Sequence, residues 1–122
     1  MKRLIGVCLL LLFLMMIWSD STLWEDDKYA VYVIDGQAHF GLKAGDDIYI
    51  GRFEPEIVAV GSNSEYVVIQ RRIRGDILYF YINKAQDHGY LNADEIVYAG
   101  YQKDKFEQLK ASHGLPEFSV FF

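Results

Sequence analysis

Hydrophobic and polar positions follow three regimes along this chain. The first is a solid apolar block: after Met1, Lys2 and Arg3, every position from Leu4 to Trp18 except Gly6 is bulky and apolar, and Ser19-Asp20-Ser21 ends the run. The second begins at Tyr29 and consists of short runs rich in β-branched and aromatic residues, separated by turn residues, which is the pattern of strands. The run 29–34 stops at Asp35-Gly36, a two-residue hairpin signal, and 38–43 returns. Ala44-Gly45-Asp46-Asp47 turns the chain into 48–50, Pro55 interrupts, and 57–60 ends at Gly61-Ser62-Asn63-Ser64. The run 66–71 is the strongest strand, and Gly75-Asp76 turns it into 77–82. Both runs are apolar on both faces in the middle, which predicts central places in a sheet.

The third regime follows Asn83. Residues 84–94 read as a polar loop and 95–98 as a short strand or extended segment. Residues 102–112 read as a helix, with Phe106, Leu109 and His113 recurring on one face. Asp104 and Glu107 lie toward its start and Lys110 toward its end, as the helix dipole favours. Gly114 and Pro116 mark the stop. The tail 117–122 carries three phenylalanines that are expected to dock on the sheet. The predicted fold class is α+β: a small twisted antiparallel β-sheet with one C-terminal α-helix, preceded by an N-terminal hydrophobic leader helix. The organisation read from the pattern is a signal peptide or signal anchor over 1–21, an acidic linker over 22–28 and a β-rich globular domain over 29–122.

The apolar block reads as an export signal. Lys2 and Arg3 form the positive flank, and a cut after Ser21 places small residues at both recognition positions. An uncleaved anchor is the alternative. The block spans only ~22 Å as a helix against a ~30 Å hydrocarbon core, and Trp18 at the interface extends it. Either way Lys2 and Arg3 stay inside and Glu25-Asp26-Asp27 begins the exported side, so the expected location is periplasmic, or inner-membrane anchored with the C-terminal domain outside the cytoplasm.

Charge and composition narrow the function. The chain is 52% hydrophobic and 24% charged, the balance of a folded protein, with a net charge of −5. Setting aside residues 1–21 removes Lys2, Arg3 and Asp20, which moves the net charge from −5 to −6. A nucleic-acid partner is therefore not expected. Cys8 is the single cysteine and sits near the start of the apolar block, too early for a lipoprotein signal. Removal of the leader leaves no thiol for a disulfide, a thiolate zinc site or cysteine catalysis.

Few residues carry a chemical pattern. His39, His88 and His113 have no second histidine at metal-ligand spacing. His39 reads as a strand residue, His88 as a surface-loop residue and His113 as a cap on the helix end. Asp46-Asp47 and Glu54-Pro55-Glu56 are paired carboxylates without the calcium-loop pattern. They read as a solvated turn and an acidic strand start, or as an acidic recognition surface for a basic partner. Arg71, Arg72 and Arg74 cluster before a turn, where they guard a strand end and pair with carboxylates. No glycine arrangement cradles phosphate and no serine sits in a nucleophile elbow. No cofactor, catalytic residue or metal ligand is expected. Outward tyrosines give a binding surface at low entropy cost.

The segments Val60-Gly-Ser-Asn-Ser-Glu-Tyr-Val-Val-Ile-Gln-Arg71 and Tyr79-Phe-Tyr-Ile-Asn83, and more loosely Phe106 through Leu109 to Gly114-Leu-Pro116, resemble a family of small uncharacterised bacterial exported, lipoprotein-like domains of unknown function. The resemblance covers about half the chain and implies a bacterial envelope protein. It brings no catalytic residues, and the lipidated cysteine of some members has no counterpart here.

Three functions stand as expectations. The first is a non-enzymatic envelope binding protein, in its most concrete form an immunity or inhibitor protein that masks a secreted toxin through a sheet edge or through Asp46, Asp47, Glu54 and Glu56. The second is a structural or accessory component of an envelope complex, membrane-held by its leader. The third is a small hydrolase built from those four carboxylates with His39 or His88.

Overall fold

A computed structural model describes residues 22–45, 48–96 and 100–122. The leader helix, with Lys2, Arg3, Cys8 and Trp18, lies outside the described residues, as do Asp46 and Asp47. Eight strands form two four-stranded antiparallel sheets rather than the single sheet expected. The first sheet is a simple meander of β1 (Thr22–Glu25), β2 (Tyr29–Ile34), β3 (Gln37–Gly45) and β4 (Ile48–Phe53). The second comprises β5 (Ile57–Ser62), β6 (Tyr66–Ile73), β7 (Asp76–Asn83) and β8 (Val120–Phe121), in the spatial order β7-β6-β5-β8.

Two hairpins show how local chemistry sets register. Asp35 and Gly36 have φ of 53° and 77°, and Arg74 and Gly75 have φ of 52° and 85°. Two successive left-handed residues make the tight turn whose twist matches the flanking strands. The second turn is therefore Arg74-Gly75, one residue earlier than expected, and Asp76 already pairs with Ile73.

The core lies between the sheets. Tyr29, Val31, Phe40, Leu42 and Phe53 from the first meet Ile57, Val60, Val67, Ile69, Phe80 and Ile82 from the second. Phe53 and Phe80 join the layers, with ring centroids 4.8 Å apart. Ile57 and Val60 are three residues apart, which a regular strand places on opposite faces. A register shift between Ile57 and Ala59 restores both to the core.

A third layer covers the second sheet. Helix α2 (Lys103–His113), which comes after a short helix α1 (Ala93–Ile96), lays Phe106 on the outward side of β6 and β7. Phe106 is fully buried and stacks on Tyr79 at 5.1 Å and on Phe118 at 5.8 Å. Gly114 ends α2 with φ 69°, and the N–H groups of Gly114 and Leu115 both bond to the Lys110 carbonyl. The tail then runs so close to β5 that a Cβ on Gly61 would lie 2.0 Å from the Glu117 carbonyl oxygen.

Four expectations are corrected. Thr22–Glu25, read as part of a linker, is strand β1, because Trp24 packs into the core and pairs opposite Val31. Glu95 and Ile96, read as extended, belong to α1. The polar loop contains a 3-10 turn, Lys84–Gln86. Strand β7, expected to be central, is an edge strand. Its outward Tyr79 is covered by Phe106 of α2, and its backbone bonds reciprocally to that of Tyr101 at 3.0 and 2.9 Å.

Candidate functional site

Two groups of side chains stand out, one inside the protein and one on its first sheet. The internal one is a polar bracket that holds residues 84–88 against the first sheet. Arg52 and Asp87 have fully buried side chains and form a forked ion pair, with Nη2 to Oδ1 at 2.8 Å and Nε to Oδ2 at 3.1 Å. The Tyr29 hydroxyl donates to Asp87 Oδ2 at 2.7 Å, and Lys28 Nζ donates to the Asp87 carbonyl at 2.5 Å. Burial alone would raise the Asp87 pKa, but the bonds from Arg52 and Tyr29 outweigh it and hold the carboxyl below its usual value.

A second ion pair stands close by. Lys84 Nζ donates to Asp26 Oδ2 and to Ser62 Oγ, both at 2.8 Å, and Ser62 donates to Asp26 at 2.6 Å. Lys28 also donates to the Lys84 carbonyl, which ties the two pairs together. Burial opposes the ionisation of Asp26, and the bonds from Lys84, Ser62 and the Tyr29 and Lys28 amides reverse that and lower its pKa. Such fully partnered buried charges lock one arrangement of the chain. The bracket holds its charges in place and leaves none turned toward solvent at a reactive position.

The surface group is the outward face of the first sheet. Tyr32 pairs opposite His39 and stacks on it at 5.8 Å, and on its other flank it stacks on Tyr49 at 4.3 Å with the rings 10° from parallel. All three are half-buried. Tyr32 closes one end of a trough formed by the paired glycines Gly41 and Gly51. A Cβ on Gly41 would come within 2.9 Å of the Tyr32 hydroxyl, whereas its partner Gly51 has nothing within 4 Å of that position. Burial, and Tyr49 beside it, raise the pKa of Tyr32. Next to the stack is a cavity of about 210 Å³ lined by Tyr32, His39, Gly51, Arg52, Phe53 and Glu54, with Ala93 of α1.

The structure separates the expected acidic pair. Glu54 lines the cavity beside Tyr32 and His39, with its side chain 90% exposed and 4.0 Å from Arg71. Glu56 bonds to Arg72 at 3.2 Å and lines a different cavity, of about 330 Å³, with Gln37, Pro55 and Phe122. Arg71 and Arg72 therefore pair with carboxylates, as the sequence suggested, whereas Arg74 forms the turn after β6. Burial lowers the pKa of Arg71, with Glu54 opposing. His88 is exposed and accepts from the Tyr90 amide at 3.2 Å, whereas His113 ends α2 with Nδ1 3.2 Å from the Leu109 carbonyl oxygen. Among the described residues, only His39 and Glu54 of the proposed hydrolase set line a common cavity.

Arg52, Asp87, Asp26 and Lys84 are not visible as a set in the sequence. The one signal is Arg52 itself, a cation in an otherwise apolar or aromatic strand. Its partner is 35 positions away, which no local pattern reveals. Comparison with protein-family models, with curated proteins and with solved structures finds no match to the chain.

Proposed function

We propose that the chain is a non-enzymatic binding protein of the bacterial envelope, exported by its N-terminal apolar segment. In its most concrete form it is an immunity or inhibitor protein that covers a secreted toxin with the outward face of the first sheet. The observation that carries this reading is the Tyr32–Tyr49 stack beside the glycine trough, with the Glu54 carboxylate at its rim. Tyrosine is enriched at interface cores, and an exposed carboxylate gives orientation and speed of association with a basic partner. Strands β1 and β4 are the edges of this sheet among the described residues, the position at which a partner strand can add.

The test is recovery of the full-length protein from envelope extracts in a nonionic detergent. A stoichiometric protein partner that is lost with Tyr49→Ala supports the reading. Absence of any partner, or one indifferent to that change, counts against it.

A specific observation favours keeping the accessory role in view. Strand β1 includes Thr22, four positions after Trp18 in the sequence, so a retained leader would keep the sandwich close to the bilayer. Mass spectrometry of the native protein decides: a mature N-terminus near Thr22 removes the membrane-held version.

A further inference from the structure

A second concave site lies on the opposite side of the molecule, where α2 meets the outward faces of β6 and β7. It has a volume of about 330 Å³, within the ~300–1,000 Å³ range of small-ligand pockets. Its walls are mainly aromatic. Tyr81 is the ring the other three aromatic side chains surround. Tyr66 meets it edge-on at 6.0 Å, His113 is tilted against it at 5.7 Å, and Tyr101 lies nearly parallel to it at 6.2 Å. Tyr66 and His113 stand nearly perpendicular, 82° apart, so the rings are walls of a cup rather than one flat stack. Asn83 and Gln86 add neutral amides.

We propose that this cup binds a quaternary ammonium group. Aromatic faces carry negative quadrupole charge and attract a cation placed within ~6 Å of their centroids. No lysine or arginine is among the described residues lining the cup, so nothing there repels one. Lys84, next in the chain to Asn83, turns its ammonium group into the bracket instead, onto Asp26 and Ser62. The net charge of −6 beyond residue 21 (the chain's −5 without Lys2, Arg3 and Asp20) draws cations toward the domain. The type of cation is set by what the cup lacks. No carboxylate is among the described residues lining it. A metal ion or a primary ammonium would lose its hydration there without replacement. A quaternary ammonium is weakly hydrated and has no N–H group to satisfy. The site stands apart from the Tyr32–Tyr49 face and does not depend on the reading given to it.

The experiment is calorimetric titration of the full-length protein in nonionic detergent. The probes are choline, glycerophosphocholine and dimethylbutanol, the neutral carbon isostere of choline. The expected result is saturable choline binding about tenfold tighter than that of dimethylbutanol. Tighter binding of glycerophosphocholine than of choline assigns the source to a lipid headgroup, and the reverse order assigns it to the free amine. Tyr66→Phe keeps the ring face and retains binding, whereas Tyr66→Leu loses it with the thermal melt unchanged. Equal affinity for choline and its isostere overturns the proposal, as does no saturable choline binding below about 10 mM. The comparison of ligands on the unaltered protein holds even if Tyr66→Leu fails to fold.

Discussion

The two sheets have the same strand number and the same antiparallel pairing, yet their outward faces are opposites. The outward face of the second sheet is covered except at the cup beside Tyr81: Val68, Phe106 and Leu115 are buried there, and the tail lies against Gly61. The outward face of the first sheet carries half-buried tyrosines beside two paired glycines, of which Tyr32 covers Gly41 and Gly51 opens to empty space. The difference lies in the chain that comes after each sheet. An amphipathic helix and an aromatic tail come after β7 and fold back over the second sheet, while the first leads directly into β5. An aromatic face the described chain leaves open is a candidate for a protein partner, and one it largely covers keeps room for a small ligand.

The comparison breaks most forcefully at the covered side and at the bracket. Phe106→Ala is expected to cost about 3–5 kcal/mol, because it empties the centre of the third layer, and chemical denaturation measures this. Arg52→Met is expected to cost a similar ~3–5 kcal/mol by leaving Asp87 buried without its cation. The bracket also sets the acid limit. The pKa values of Asp87 and Asp26 are lowered from 3.8, so the stability they contribute is present above that value and lost as the pH falls through their folded values. Thermal melts are expected to be flat from neutral pH down to about 5 and to fall steeply below about 4.

Smaller effects sharpen the contrast. The same substitution at two glycines is expected to act oppositely. Gly61→Ala drives a methyl into the Glu117 backbone and destabilises by about 1–3 kcal/mol. Gly51→Ala meets nothing, keeps a φ that alanine accepts, and is neutral or stabilising by up to about 1 kcal/mol. Tyr49→Ala removes a stacked but half-exposed ring and costs about 1–2 kcal/mol in the fold, while its larger effect falls on partner binding. Glu56→Gln breaks a solvent-exposed ion pair and is expected to shift stability by less than about 1 kcal/mol.

Much of the secondary structure was legible because it rests on local chemistry. Asp35-Gly36 announces its hairpin through two left-handed residues, 66–71 announces itself by β-branched density, and Gly114 closes α2 at the expected place. The illegible parts depend on partners distant in the chain. The apolar pattern of β6 and β7 has two covered faces as its cause, and it does not say whether strands or a helix cover them. Strand β1 was hidden because it is short, Glu25 faces water and only Trp24 reports the core. The bracket was hidden because Arg52 and Asp87 meet only through tertiary structure. Of the acidic candidates within the described residues, Glu54 stands beside the open face and Glu56 stands elsewhere, although one proline separates them.

The central claim is that the first sheet's outward face receives a protein partner and the second's does not. The most direct measurement places a photoreactive side chain at Gly51 on the open face, or at Lys105 on the exposed side of α2, and irradiates the full-length protein in its native envelope. The account predicts a discrete protein adduct from position 51, reduced by Tyr49→Ala, and none from position 105. No adduct from position 51, or the same adduct from both positions, would contradict it.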